Sequence, residues 1–235
     1  MEKPIDLLIV VPARSGSKGL PDKNVRLLAD KPLLSWTAAA VTQAQLPNSL
    51  ALLSTDSESY AQIGRSCGLA APFLRPADYA SDQASSIQLL EHALGWFNQQ
   101  YGYMPRFTML LQPTSPFRSP EIIRQAVDLV QQGHADAVIG CKEIFRDLTT
   151  LFRCDQGFLR ALDAAKPTQS SRQQSGALLT PNGAMYLCNT DYLLQHQSFY
   201  PPRTAPLTMT AVQSLDIDTA EDWAIAEAFI DKGLV

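Results

Sequence analysis

Residues 9–24 read IVVPARSGSKGLPDKN. An apolar run ends at Pro12, and Arg14, Lys18 and Lys23 then follow through a stretch rich in Ser, Gly and Pro. The run reads as an opening strand from Leu7 to Val11, and the stretch behind it as a loop at the strand's carboxyl end. Ligands of open α/β sheets bind outside the carboxyl ends of the strands, which favours a binding loop over a solvated turn. Gly16 and Gly19 allow close backbone approach, and N–H groups with three cations suit an anion such as a polyphosphate. Arginine supplies a planar fork and lysine a point charge. The loop contains neither GxxxxGK[ST] nor GxGxxG.

Further β-rich runs lie at Leu50 to Ser54, Phe107 to Leu111 and Ala137 to Cys141, with helical patterns between the first three and before the fourth. This alternation predicts βαβ units around a mostly parallel sheet. One helix spans about Pro32 to Ala44, with Leu33, Trp36 and Ala40 on one face. A second starts near Ser86, where Ser85 and Gln88 have capping-box spacing. A third starts at Ser119, with Pro120 at the first helical position and Glu121 in the first turn. The last begins at Thr219 and carries Trp223, Ile225, Ala226, Phe229 and Ile230, closing the core. Residues 142–181 lack this period and read as an insertion or arm. Its Phe145, Leu148, Leu151, Phe152, Phe158 and Leu159 could bury themselves against a second subunit or in a local hairpin packed on the parent domain.

The chain has 235 residues, is 46% hydrophobic and carries a formal net charge of −4, so it has no global attraction to nucleic acid or an anionic membrane. Any anion must be held by a local cluster. No run reaches transmembrane length, and Glu2, Lys3 and Asp6 ahead of the first apolar stretch suit an opening strand better than a signal peptide, an expectation of a cytoplasmic protein. Cys67, Cys141, Cys154 and Cys188 show no CxxC spacing and read as ordinary thiols. His92, His134 and His196 have no partner in sequence and read as surface or helix-face residues.

Near the other end, SLDIDTAEDW places Asp216 and Asp218 at i and i+2 in a strand-like context, which points both carboxylates to one side. Two adjacent carboxylates repel, and a hard divalent ion such as Mg²⁺ relieves that repulsion while also binding phosphate. Helix capping by Asp218 or Thr219 is compatible with this. Two more stretches sit where strand ends are expected: LLQPTSPFRS from 110, which presents Gln112, and TPNGAMYL from 180, whose PNG otherwise reads as a tight turn. LRPADYASDQASS from 74 offers Arg75, Ser85 and Ser86 ahead of a helix N-terminus, a position favourable to an anion or base.

In this order, VVPARSGSKGLPDKN, LRPADYASDQASS, LLQPTSPFRS, TPNGAMYL and DIDTAEDW resemble the motifs of the CMP-sialic acid synthetases (N-acylneuraminate cytidylyltransferases) and their bacterial relatives acting on pseudaminic and legionaminic acids. The likeness spans nearly the whole chain. It implies a Rossmann-like α/β nucleotidyltransferase of the nucleotide-diphospho-sugar transferase type, with a core of 1–141 and 182–235 and a dimerisation arm at 142–181. It implies transfer of CMP from CTP to the anomeric hydroxyl of a nine-carbon keto sugar, with release of pyrophosphate. Position by position, Arg14, Ser17 and Lys23 fall around the CTP phosphates, with Lys18 and Asn24 in the same loop. Arg75 and Ser86 fall at the cytidine, Gln112 and Tyr186 at the sugar, and Asn182, Gly183 and Ala184 at the adjoining segment. Asp216 and Asp218 take the place of the Mg²⁺-binding aspartates.

The resemblance also implies a homodimer in which a basic residue of the arm reaches the partner's sugar site, and Arg172 in SSRQQS is that candidate. One departure lies in the arm: sialate enzymes carry a lysine in a PLK-like context where RDLTTL has Thr149, which weakens the case for ordinary sialic acid against another nonulosonate. Nucleotidyl transfer asks for alignment and charge neutralisation, which Arg14, Lys23 and Mg²⁺ supply. The proton of the attacking hydroxyl can leave through a metal-lowered pKa or directly to an aspartate. The alternatives are a metal-dependent glycosyltransferase, whose Asp-x-Asp pair normally follows a mid-chain strand, and a catalytically inactive nucleotide-binding regulator.

Overall fold

Successive residues of β1 (Leu7–Pro12) are buried on both sides, as a central strand requires. In the computed structural model, which describes residues 4–17, 19–81, 83–145, 151–161 and 178–235, Leu7, Ile9 and Val11 face one core while Leu8 and Val10 face another. After the cationic loop come β2 (Leu27–Leu28) and β3 (Lys31–Pro32), a small antiparallel pair, then α1 (Leu33–Ala44), β4 (Ser49–Ser54), α2 (Glu58–Ser66), α3 (Ser86–Tyr101), β5 (Phe107–Leu110), α4 (Pro120–Gln131) and β6 (Ala137–Ile144). The chain continues through β7 (Phe152–Asp155), β8 (Phe158–Ala161), β9 (Leu178–Asn189), α5 (Thr190–His196), β10 (Thr204–Thr208) and α6 (Ala220–Asp231).

The main sheet has six strands in the order β10-β6-β9-β5-β1-β4, with β9 antiparallel to its neighbours and the other pairs parallel. Helices α1 and α4 cover one face, where Leu34, Ala38, Val41, Ile123, Ala126 and Val130 pack on the odd residues of β1. Helices α3 and α5 cover the other, through Leu90, Leu94, Phe97 and Leu193. The sandwich follows from the sequence, since alternate residues of an apolar strand need cover on both faces. The expected helix starts hold: Ser85 and Gln88 form a reciprocal capping box on α3, and Ser119 caps α4 ahead of Pro120.

Two local expectations are corrected. TPNG is neither a strand end nor a tight turn. Thr180, Pro181, Asn182 and Gly183 lie inside the twelve-residue β9, where the register against β6 shifts between Ile139 and Cys141. The irregularity takes up three extra residues of β9 and lets Pro181, which has no N–H to give, sit in a ladder. Asp216 to Asp218 is not a strand either. The segment is held by Ile217, whose N–H donates to the Thr114 carbonyl at 2.8 Å and whose side chain is buried with Leu20, Leu28, Phe117 and Trp223.

The pairing of β6 with β9 runs outward to Ile144 and Leu178, past the expected core limits at 141 and 182. β7 and β8 form a separate two-stranded hairpin through Gln156 and Gly157, both at positive φ, with exposed faces. Helix α6 buries Trp223 and Ala226, whereas Ile225, expected in the core, is exposed.

Candidate active site

A cleft of about 630 Å³ opens at the carboxyl ends of β1 and β5. Arg14, Ser17, Lys23, Asn24, Arg75, Ser86, Gln112, Asp216 and Asp218 line it, together with Tyr79 and Thr114. Residues from both ends of the sequence therefore face one space. The contact that joins them is close: the Lys23 ammonium donates to the Ile217 carbonyl at 2.7 Å and to Asp218 Oδ1 at 2.8 Å. Lys23 is 11% exposed and Asp218 70%, so the pair sits at the rim with its lysine inside. Gly19 completes the junction, since a Cβ there would stand 2.4 Å from the Asp218 carbonyl oxygen.

Local chemistry explains why Asp218 stands where it does. The α6 capping box pairs the Thr219 hydroxyl with the Asp222 N–H, and the Asp222 carboxylate accepts from the N–H groups of Asp218 and Thr219. These backbone donors hold the Asp222 carboxyl below the usual range. Burial of Trp223 then presses the start of α6 against Leu20 and Leu28 and carries Asp218 to the cationic loop.

Asp216 has a different environment. It receives a hydrogen bond from the Thr114 hydroxyl, yet burial, with the like charge of Asp218 behind it, raises its pKa. Its Oδ1 is buried without a partner among the described residues. An orphaned carboxylate oxygen beside a second carboxylate fits a hard divalent cation, the all-oxygen chemistry that Mg²⁺ prefers. Among the described residues no group of three or more His, Cys, Asp or Glu is placed to hold a metal ion, so the two aspartates would be its protein ligands together with bound phosphate oxygens.

On the cationic-loop side, the Arg14 guanidinium donates to the Ala80 carbonyl at 3.3 Å, and the Asn24 amide donates to the Arg14 carbonyl at 3.2 Å. Arg75 is 5% exposed, and its backbone N–H donates to the Thr55 carbonyl at 2.7 Å. Burial lowers its pKa, Asp56 opposes that shift and Arg14 adds to it, so the three charges are close neighbours. Ser86 opens α3 beside this group.

The residues expected at the sugar divide. Gly183, at φ 79°, is where β9 comes nearest the cleft: a Cβ there would stand 3.1 Å from the Gln112 side-chain oxygen and 3.3 Å from Asp216 Oδ2. Tyr186 is half-buried, its ring 5.0 Å from that of Phe199, and burial, Tyr200 and Asp216 raise its pKa and keep the phenol protonated. Asn182 and Ala184 lie behind the lining. The Asn182 amide donates to Ser214 Oγ at 2.9 Å while its oxygen accepts from the Ala184 N–H, and both residues are buried. Lys18, Thr149 and Arg172 lie outside the described residues.

Sequence reasoning missed three residues. Thr114 holds Asp216 through its hydroxyl and Ile217 through its carbonyl. Arg118, buried at the end of the Pro-rich turn, donates to the Ala184 carbonyl at 2.8 Å, the Gln112 carbonyl at 2.8 Å and Thr37 Oγ1 at 3.3 Å. Burial pushes its pKa down to about 9, so it still carries its charge at neutral pH. Asp56, just beyond β4, binds Ser15 of the cationic loop. An unexplained cation one residue before a helix N-cap was the only signal for Arg118. His92 is also more than a surface residue: it is half-buried, with its ring 4.7 Å from Phe73 and 5.5 Å from Tyr79.

The sequence matches the family model described as Cytidylyltransferase over residues 8–232. It is 34% identical over 227 residues to the CMP-N,N'-diacetyllegionaminic acid synthase of Legionella pneumophila, covering 96% of this chain and 96% of that protein. It is 34% identical over 236 residues to the N-acylneuraminate cytidylyltransferase of Streptococcus agalactiae, covering 97% of this chain but 54% of that protein, so it spans about half of the longer relative. The fold is similar to that of a CMP:2-keto-3-deoxy-manno-octonic acid synthetase solved in complex with CTP, at a TM-score of 0.68 and 16% identity over 97% of this chain and 99% of that one. A family match across nearly the whole sequence, joined to a sheet whose strand ends gather the loop cations and the two aspartates, shows that this chain belongs to the cytidylyltransferase family.

Proposed function

We propose that the protein is a CMP-nonulosonate synthetase, transferring CMP from CTP to the anomeric hydroxyl of a sialic acid-like nine-carbon keto sugar. The anomeric oxygen attacks the α-phosphorus, a new C–O–P link forms, the bond from that phosphorus to the bridging oxygen breaks, and pyrophosphate leaves. One observation carries this reading: Arg14, Lys23, Asp216 and Asp218 line a single cleft of about 630 Å³, with Lys23 already against Asp218. The likeness to a legionaminic acid enzyme and a sialic acid enzyme at equal identity supports the sugar class. It does not favour the glycosyltransferase or inactive-regulator alternatives.

In this reading Arg14 and Lys23 hold the phosphates, with Ser17, Lys18 and Asn24 completing the loop, and Arg75 and Ser86 face the cytidine. Gln112, Gly183 and Tyr186 face the sugar, Asn182 and Ala184 shape the strand behind it, and Arg172 reaches a partner's site. Asp216 and Asp218 hold Mg²⁺, which when bound neutralises phosphate charge and lowers the pKa of a coordinated oxygen. Binding the triphosphate requires Lys23 to exchange Asp218 for phosphate. We further place the protein in the cytoplasm as a homodimer joined through residues 142–181, where Phe145, Phe158 and Leu159 expose large apolar surfaces. No helix among the described residues is long and apolar enough to cross a membrane.

The test is pyrophosphate release from CTP with sialic, legionaminic and pseudaminic acids supplied separately. Release that depends on one of these sugars, with the matching CMP-sugar formed, is expected. Release with none of them would overturn the reading.

A further inference from the structure

Ser54, Thr55 and Asp56, three consecutive residues at the carboxyl end of β4, each hold a different part of the cleft wall. The Ser54 carbonyl accepts from the Ala13 N–H at 3.0 Å, where the cationic loop leaves β1. The Thr55 carbonyl accepts from the Arg75 N–H at 2.7 Å. Asp56 takes Ser15 with both oxygens, Oδ1 accepting from the backbone N–H at 2.8 Å and Oδ2 from the hydroxyl at 3.0 Å. The far end of the loop is fastened from the same side of the sheet: Asp22, at φ 52°, accepts from the Tyr60 hydroxyl of α2 at 2.9 Å.

We propose that Asp56 is the positioning residue that fixes the cationic loop against the nucleoside side of the cleft, so that Arg14 and Arg75 meet CTP as one prearranged pair. This rests on the function proposed above. Arg14 directly precedes Ser15, so the two hydrogen bonds to Asp56 set where its backbone stands. The Asp56 charge also reaches Arg75 and opposes the burial that lowers its pKa, which helps to keep two nearby guanidinium groups together before an anion arrives. A loop rich in Ser and Gly would otherwise lose its freedom on binding, at the expense of affinity, and ordering it beforehand removes that loss. The sugar side receives none of these contacts, since Gln112 and Gly183 are held by Arg118 and β9 instead.

The test is Asp56→Asn, which keeps one carbonyl for the Ser15 N–H and removes the charge and the second acceptor. Ser15→Ala, which removes only the hydroxyl donor, stands beside it. We expect the Kd for CTP with Mg²⁺, measured by calorimetry without sugar, to rise about tenfold or more in Asp56→Asn and about threefold in Ser15→Ala. The sugar KM at saturating CTP should stay within about twofold, which a general loosening of the fold would not allow. A CTP Kd within about twofold of wild type in Asp56→Asn, or a sugar KM that moves as far as the CTP Kd, overturns the proposal. Should Asp56→Asn not fold, an unchanged CTP Kd in Ser15→Ala overturns it. A wild-type protein that binds CTP but forms no CMP-sugar contradicts the proposed activity, while the Kd comparison still decides the role of Asp56.

Discussion

Lys23 Nζ lies 2.8 Å from Asp218 Oδ1, a contact between residues 195 positions apart in the sequence. It brings a cation from the loop after the first strand to a carboxylate at the start of the last helix, with the Ile217 carbonyl as its second acceptor. The cleft thus already holds both signs of charge that nucleotidyl transfer needs, in positions set by the packing of Ile217 and Trp223.

Asp218→Ala and Arg14→Ala are each expected to lower turnover by at least about a hundredfold, the scale of losing one preorganised charge-stabilising group. In Asp218→Ala the mostly buried Lys23 loses its anionic partner and keeps only the Ile217 carbonyl, so a modest fall in melting temperature should accompany the kinetic loss. Steady-state kinetics beside a melting curve checks this. Near-normal turnover in either variant removes that residue from the mechanism.

Arg118→Met keeps much of the side-chain volume but leaves the buried Ala184 carbonyl without the guanidinium, whereas the Gln112 carbonyl keeps the Ser115 N–H at 3.3 Å. A loss of about 1–3 kcal/mol is expected from one unsatisfied buried acceptor. Denaturant unfolding reads it directly. A loss under about 1 kcal/mol would show that water or a neighbour replaces the guanidinium.

Gly183→Ala puts a Cβ within 3.1 Å of the Gln112 side-chain oxygen and 3.3 Å of Asp216 Oδ2, at a φ of 79°. The left-handed backbone alone costs about 1–2 kcal/mol for an alanine. The variant should melt several degrees lower, and its sugar KM should rise more than its CTP KM because Gln112 must move. Equal change in both constants would argue that Gly183 acts only through stability.

Acid stability should depend on His92. Burial and the nearby Arg75 charge lower its pKa, so the folded protein keeps the ring neutral where the unfolded chain, near the ordinary value of about 6.5, takes a proton. As pH falls from about 6.5 towards the lowered folded value, the unfolded state binds more protons and stability drops. His92→Phe keeps the ring packing against Phe73 and Tyr79 and removes this titration. Its melting temperature should therefore fall less than that of wild type between about pH 7 and pH 5. Parallel curves for the two proteins would contradict the assignment.

The parts of this molecule legible from sequence are those governed by local rules. β1, β4, β5 and β6 announce themselves as apolar runs, and the Ser85, Ser119 and Thr219 caps mark helix starts because each cap satisfies its own first turn. The gathering of the loop cations and the two aspartates was readable only in outline. Sequence could place both near strand ends or a closing helix, but the Lys23 to Asp218 contact depends on how α6 packs against Leu20 and Leu28. β9 was misread because Pro-Asn-Gly carries the chemistry of a turn, and only the irregularity opposite Ile139 and Cys141 lets it continue as a strand. Asp56 and Arg118 were invisible for another reason: their partners, Ser15 and Ala184, lie 41 and 66 residues away in the chain.

A crystal structure with CTP and Mg²⁺ tests the central claim most directly. The triphosphate should lie against Arg14 and Lys23 with Asp216 and Asp218 beside its phosphates, Lys23 turned from Asp218 to phosphate and the cytosine towards Arg75 and Ser86. A nucleotide seated outside this cleft, or one whose phosphates touch neither Arg14 nor Lys23, would contradict it.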